Sequence, residues 1–313
     1  MGSVKVTSII VLASVLLRAI VSLQLYSGHE TPPKYGDFEA QRHWQEITVN
    51  LPITEWYQNS TDNDLMYWGL DYPPLTAYHS WLMGHFARAI DGSYIELYTS
   101  RGITTSEHKL FMRLTVILAD ILLYIPAIFL AYKYIWKALI IFDSDGPKTV
   151  QRSRILKVLH LFVALCYPGQ ILIDNGHFQY NNISLGLTCL AVVALLCDHI
   201  YLAASFFVFA LNYKQMELYH ALPFFFYLLA KCFAGDATTA VRGFGGVVLR
   251  GIKRLVFLGV LVISLFAVIW LPWLGSLERL SQVVHRIFPV ARGVFEDKVS
   301  NIWCVVNVFY KIK

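Results

Sequence analysis

The sequence predicts an all-α polytopic membrane protein, and three observations carry the prediction. Of 313 residues, 56% are apolar and only 15% charged, against roughly 45–50% and about 25% in soluble domains. Mean hydropathy is +0.51, and the apolar residues gather into runs near the ~20 residues that cross a ~30 Å hydrocarbon layer. The polar connections between runs are sorted by charge, as the positive-inside rule requires. Composition also excludes disorder, because 8 Trp, 18 Tyr and 20 Phe are the opposite of a disordered signature. The formal charge of +5 does not imply a nucleic-acid partner, since the basic residues lie in two short connectors between apolar runs. Membrane lipid is the expected surround.

The first element is an apolar run over Val4 to Tyr26, interrupted by Arg18, so residues 1–26 are read as the first span. No small-x-small cleavage site follows it, which favours an anchor over a cleaved signal. Further runs cover Phe111 to Trp136, Ile155 to Ile173, Ile183 to Cys197, Ile200 to Leu211, Leu218 to Phe233 and Leu255 to Leu274. Residues 111–274 therefore hold spans two to seven, of which the fourth and fifth are short enough to tilt, kink or join differently. An insert over 27–110 carries five basic and eleven acidic residues, whereas Tyr132 to Lys157 carries six basic and two acidic. Gly235 to Arg254 is basic as well, with four against one. Both basic connectors belong on the cytoplasmic side, and the acidic insert, the 174–182 and 212–217 turns and a loop over 275–301 share the far side. Asn59-Ser60-Thr61 in the insert is an N-glycosylation acceptor pattern, which suits the secretory pathway. Asn182-Ile183-Ser184 matches too, but abuts a span where no modification is expected. The five cysteines, Cys166, Cys189, Cys197, Cys232 and Cys304, follow no metal spacing and read as small buried hydrophobes.

All the dense polar clusters fall on the acidic face. In Tyr35-Gly36-Asp37-Phe38-Glu39-Ala40-Gln41-Arg42-His43-Trp44-Gln45-Glu46, a helix starting at Asp37 puts Asp37, Gln41 and Trp44 on one side. Asp37 fits two roles: an N-cap, or a carboxylate beside the membrane that takes a proton from a sugar hydroxyl. Arg42 and His43 suit either substrate binding or pairing with Glu46 and Glu39. In Tyr67-Trp68-Gly69-Leu70-Asp71-Tyr72-Pro73-Pro74 the prolines set an extended turn and a helix start. The helix that follows puts Leu75, Tyr78, Leu82, Phe86 and Ala89 on one side, suited to the membrane interface. Asp174-Asn175-Gly176-His177-Phe178-Gln179-Tyr180-Asn181-Asn182 is costly at a membrane boundary unless it is solvated or lines a wet cavity. Lys214 is the one cation of Asn212 to Glu217. Arg292, within Arg286 to Lys298, suits a phosphate contact, with Glu296 as the alternative partner. Asp120, inside the second span, is assigned a structural role, with Arg113, two turns away on the same helix face, as a candidate partner at long reach. There is no His-Glu-x-x-His, paired-Cys or Walker-type pattern, so nucleotide-sugar and ATP-driven chemistries lose ground.

Gly36 to Trp44, Gly69 to Tyr78, Gly176 to Asn181 and Phe288 to Lys298, four motifs in order, resemble the endoplasmic-reticulum alpha-1,3-glucosyltransferases that use dolichyl phosphate glucose. The likeness is strongest to members that add the first glucose to the lipid-linked mannose-rich oligosaccharide. It runs from about Tyr35 to the last residue. It implies a GT-C type membrane fold with a large lumenal first loop, an endoplasmic-reticulum location, metal-independent inverting transfer, and a catalytic aspartate that maps onto Asp37. Donor and acceptor would be dolichyl phosphate glucose and the dolichyl-diphosphate-linked oligosaccharide. The substrate-binding candidates are Glu39, Arg42, His43, Asp71, Tyr72, His177, Gln179, Lys214 and Arg292, with His177, Lys214 and Arg292 set apart for the phosphate by sidedness. Asn175 stands where this family is expected to carry a histidine. Family members are longer, so residues 302–313 are expected to open a further span and the chain to be C-terminally shortened. The competing readings are a shortened inactive form and a transporter or scramblase, the latter expecting polar residues across the midplane.

Overall fold

The computed structural model describes residues 2–142, 147–234, 243–288, 306 and 308–311. Among the described residues every regular element is helical. Helix α1 (Gly2–Ser22) shows why Arg18 is tolerated in an apolar run. Ile9, Leu12, Leu16 and Ile20 form an exposed stripe, while Ser14, Arg18 and Ser22 are buried four residues apart. The helix is thus apolar outward and polar inward, as suits a lipid solvent.

The insert folds as α2 (Gly36–Asn50), α3 (Leu65–Trp68) and α4 (Pro74–Ile90). Helices α2 and α4 pack closely, because Ala77, Ser80, Gly84 and Ala87 give α4 a face of small buried residues. A Cβ on Gly84 would lie 2.4 Å from the Val49 side chain and 2.9 Å from the Gln45 carbonyl. The opposite face leaves Trp81, Leu82, Phe86 and Ile90 exposed, in keeping with a helix lying at the membrane surface.

Helix α5 (Ser106–Ala119) continues through a π-turn at Asp120–Tyr124 into α6 (Ile125–Phe142). Helix α7 (Pro147–Leu165) ends before Pro168, which removes a helix donor. The chain resumes as α8 (Pro168–Ile171) and a second π-turn, Leu172–Phe178. Then come α9 (Asn181–Leu196), α10 (Ile200–Tyr213), α11 (Ala221–Phe233), α12 (Gly243–Leu274) and α13 (Leu277–Ile287).

Among the described residues four helical stretches are long and apolar enough to cross a membrane: Lys5–Ser22, Ser106–Trp136, Ile155–Phe178 and Gly245–Leu274. The runs expected as the fourth, fifth and sixth spans fold as α9, α10 and α11, of 16, 14 and 13 residues, or about 24, 21 and 20 Å at 1.5 Å per residue. They form an inner layer, with α9 against α10 and α6, and α12 against α10 and α11. Direction still alternates as the charge pattern requires. Lys214 meets Asn181 at one end of this layer and Lys231 meets Asp198 at the other.

The interior is polar where the spans converge. Arg18 Nε lies 3.2 Å from Asp120 Oδ2, and its Nη1 donates to the Leu165 carbonyl at 2.7 Å. Asn175 and Asn182 each donate a side-chain amide to Asp120. The partner of Asp120 is thus Arg18 and not Arg113, which instead donates to the carbonyls of Asn175 (2.6 Å) and Gly176 (2.8 Å). The wrong partner came from reading along one helix, when the charges meet across two.

Candidate active site

Asp37 is positioned by backbone geometry and an aromatic core. Gly28 and Gly36 have φ of 77° and 69°, and their backbones approach so closely that a Cβ on Gly36 would lie 2.8 Å from the Gly28 Cα. This crossing starts α2 immediately before Asp37. The residue preceding the helix is Tyr35, and no side chain caps it, so the N-cap reading of Asp37 is set aside. Beneath it, Phe38 stacks on Tyr26 at 3.7 Å and meets Phe178 edge-on at 4.7 Å. Packing Phe38 on Phe178 brings the neighbours of each together.

Those neighbours make the site. Asp37 Oδ2 lies 2.9 Å from His177 Nε2 and accepts from Gln179 Nε2 at 2.7 Å. A carboxylate only accepts, so His177 Nε2 carries the proton. Phe178, fully buried between them, has φ 89°, a left-handed conformation that a bulky residue adopts only under strain. With the π-turn that ends there, this lets His177 and Gln179 both face Asp37, where a continued helix would turn them apart. Asp37 and His177 stay 39% and 48% exposed, so the carboxylate is open to an incoming hydroxyl.

Behind this rim lies a small recess lined by Gln41, Tyr72, Thr76, Tyr180, Tyr213 and Lys214. Gln41 is one turn beyond Asp37 on α2. Lys214 Nζ donates to Asn181 Oδ1 and sits 5.0 Å from the Tyr72 ring centroid. Asn181 in turn donates to Asp174 at 2.7 Å, and Asp174 also accepts from the Asn182 N–H at 2.7 Å. Burial lowers the Lys214 pKa, opposed by the carboxylates of Asp174, Asp37 and Asp71. Tyr72 is raised by burial and by Asp71, Asp37 and Asp174. One ammonium thus faces several carboxylates in a half-closed pocket. The Asp71 carbonyl is held by Gln215 at 3.2 Å.

Three of the candidates sit elsewhere. Glu39, Arg42 and His43 are 0–2% exposed. Arg42 clasps Glu39 through two bonds of 2.8 and 2.6 Å, Glu46 at 2.6 Å and Ser100 at 2.6 Å. His43 lies 3.1 Å from Glu46, and Tyr67 donates to Glu39 at 2.9 Å. Glu46 also accepts from the Tyr98 N–H at 2.9 Å. Burial raises the Glu46 pKa, but His43, Arg42 and that N–H outweigh it and bring the carboxyl down to about 2. This network braces α2 from behind and pairs Glu39, Arg42 and His43 internally, the alternative that the sequence offers for Arg42 and His43. Arg292, Cys304, residues 289–301 of the 275–301 loop and most of residues 302–313 lie outside the described residues. Arg286 is described, and donates to the Gly69 carbonyl at 2.7 Å. Gln41, which the sequence puts on the Asp37 side of the helix, joins the site, and so do Asp174, Tyr180 and Asn181, which were not singled out individually. The polar density of 174–182 was the available signal for the last three. Among the described residues no group of three or more His, Cys, Asp or Glu side chains converges as metal ligands do.

Fold and site together define a multi-pass helical membrane protein with an accessible carboxylate and a cation-bearing recess at one face of the bundle. Residues 13–313 match the ALG6, ALG8 glycosyltransferase family. The chain belongs to that family. It is 52% identical over 307 residues to a probable dolichyl pyrophosphate Man9GlcNAc2 alpha-1,3-glucosyltransferase of Drosophila melanogaster, covering 97% of this chain and 60% of the relative. To the enzyme of that name from Gallus gallus it is 49% identical over 306 residues, covering 98% and 56%. To that of Saccharomyces cerevisiae it is 42% identical over 312 residues, covering 97% and 52%. The chain thus spans 52 to 60% of the length of these relatives.

Proposed function

We propose that this chain carries the catalytic carboxylate of a lumenal endoplasmic-reticulum glucosyltransferase. The reaction moves glucose from dolichyl phosphate glucose to a mannose of the dolichyl-diphosphate-linked Man9GlcNAc2 oligosaccharide, forming an alpha-1,3 linkage. The observation that carries this reading is the exposed Asp37 carboxylate, held by His177 and Gln179 beside the Lys214 recess, in a chain of this glycosyltransferase family. The acceptor names of the relatives supply the substrate class.

The chemistry follows from the geometry. Two donors fix Asp37 through Oδ2, and its other oxygen takes the proton of the mannose hydroxyl. That hydroxyl attacks the anomeric carbon of the beta-linked glucosyl phosphate from the opposite side, so configuration inverts. The leaving phosphate departs as a stable anion and needs no general acid, only cationic stabilisation. Lys214, held by Asn181 and Asp174, is the described cation in the recess, and Arg292 is a second candidate by sequence. The reaction needs no metal in this scheme. The gathering of the Asp37, His177, Gln179 and Lys214 cluster at one face favours this reading over a transporter.

The test is glucose transfer by the purified chain from dolichyl phosphate glucose to a lipid-linked mannose-rich acceptor, beside Asp37→Asn. The variant is expected to lose roughly 10²–10⁴-fold in rate with membrane insertion intact. Equal rates would sink Asp37 as the base. Inactivity of both, where a longer relative works, would assign catalysis to a longer chain only.

A further inference from the structure

The face of the inner helix layer away from Asp37 holds a second, unassigned cavity. Helices α9 and α10 form a hairpin only about 24 and 21 Å long, and α11 is shorter still, beside α12 with its 32 residues. A hydrocarbon layer is ~30 Å thick. The hairpin tip and the end of α11 therefore stop short of the opposite leaflet's headgroups, while α12 continues past them. Such a mismatch is relieved by local thinning of the bilayer and by long flanking side chains reaching the headgroups. At this level there is a recess of ≈ 720 Å³, lined by Asp198, His199, Lys231 and Arg254 among others.

Its chemistry is that of an anion site with an apolar tail. Asp198 ends the hairpin turn with φ 57° and pairs with Lys231 at 2.6 Å. Both side chains line the recess, that of Asp198 76% exposed and that of Lys231 34%, so Lys231 and Arg254 give it two cations against one carboxylate. Arg250 and Lys253 lie on α12 within a turn of Arg254. One turn further into the membrane, the same three helices bound an apolar groove of ≈ 330 Å³, which begins at Ala204, Leu228 and Leu255 and continues past Gly259. A basic recess at the cytoplasmic boundary, one helical turn from an apolar groove between the same helices, suits the headgroup and tail of one anionic lipid.

We propose that recess and groove bind an anionic phospholipid of the cytoplasmic leaflet, its phosphate near Lys231, His199 and Arg254 and one acyl chain along α10, α11 and α12. This site is separate from glucosyl transfer, and its test does not depend on activity. The purified full chain is examined by native mass spectrometry with phosphatidylserine or phosphatidylcholine added. Phosphatidylserine is expected to be retained in preference, and Lys231→Gln and Arg254→Gln each to weaken it about fivefold, as expected for one lost charge at a membrane surface. Gly259→Phe fills the groove, where a Cβ meets nothing within 4 Å, and is expected to reduce retention with all the charges in place. Equal retention of the two lipids overturns the proposal. So does unchanged retention in Gly259→Phe, which would reduce the effect to surface charge. Displacement of phosphatidylserine by a polyprenyl phosphate at equal concentration would give the groove to the donor lipid and overturn it as well.

Discussion

Lys214 and Arg42 are both cations among carboxylates, yet they have opposite jobs. Arg42 is sealed in, with Glu39, Glu46 and Ser100 consuming its donors. Removing one member of such a cluster strands the others, so Arg42→Ala is expected to destabilise the fold by ~3–5 kcal/mol. Arg42→Lys is expected to rescue little, because an ammonium cannot make the forked contact with Glu39. The midpoint of thermal unfolding in detergent reads both. Lys214 instead faces the recess, and Lys214→Ala is expected to raise KM for the donor roughly 10-fold or more, the loss of a charge-assisted contact, with the unfolding midpoint little changed. Asn59 and Asn182 form a second contrast. Asn59 is exposed, while Asn182 is 1% exposed and donates to Asp120. Glycosidase-sensitive mass in microsomes is expected to vanish in Asn59→Gln and to persist in Asn182→Gln, and no such mass in the unaltered chain would contradict a lumenal insert.

At the scale of elements, the α2–α4 contact decides whether Asp37 is presented at all. Gly84→Leu must push a side chain into Val49 and the Gln45 carbonyl, an overpacking expected to cost ~1–3 kcal/mol. Transfer activity should fall with it, because α2 carries the carboxylate, and a limited-proteolysis comparison of the insert would detect the loosening. Much at this scale was legible in sequence. The α2 start at Gly36 and the Pro74 start of α4 follow from local turn chemistry, and the apolar runs follow from hydropathy alone. What was not legible is non-local. Local spacing offered Arg113 to Asp120, but the counter-ion comes from α1. Spacing likewise allowed Arg42 to pair with Glu39 and Glu46, but gave no sign that the whole cluster is sealed from solvent. His177 and Gln179 were named from polar density, whereas their convergence on Asp37 needs a strained Phe178 that no pattern announces.

For the molecule as a whole, two groups outside the spans set the response to acid. His79 is brought down to about 4 by burial, so the folded form stays neutral while the unfolded chain takes up a proton near 6.5. Stability from this group is complete above pH 6.5 and is lost as pH falls toward 4. Glu46, held at about 2, acts lower: its contribution is complete above about 4.5 and is lost toward 2. Unfolding midpoints are therefore expected to decline in two stages, and His79→Gln to reduce the upper stage and leave the lower one. The pairing of Arg18 with Asp120 bears on how the chain is built. While the first helix is alone in the translocon, its guanidinium has no counter-ion, a penalty of about 2.5–3.5 kcal/mol at a helix centre. Asp120 emerges only after the entire acidic insert has been synthesised. The N-terminal helix is therefore a weak anchor during translation and becomes a firm one when the second hydrophobic segment arrives, so its integration is completed by a later part of the chain.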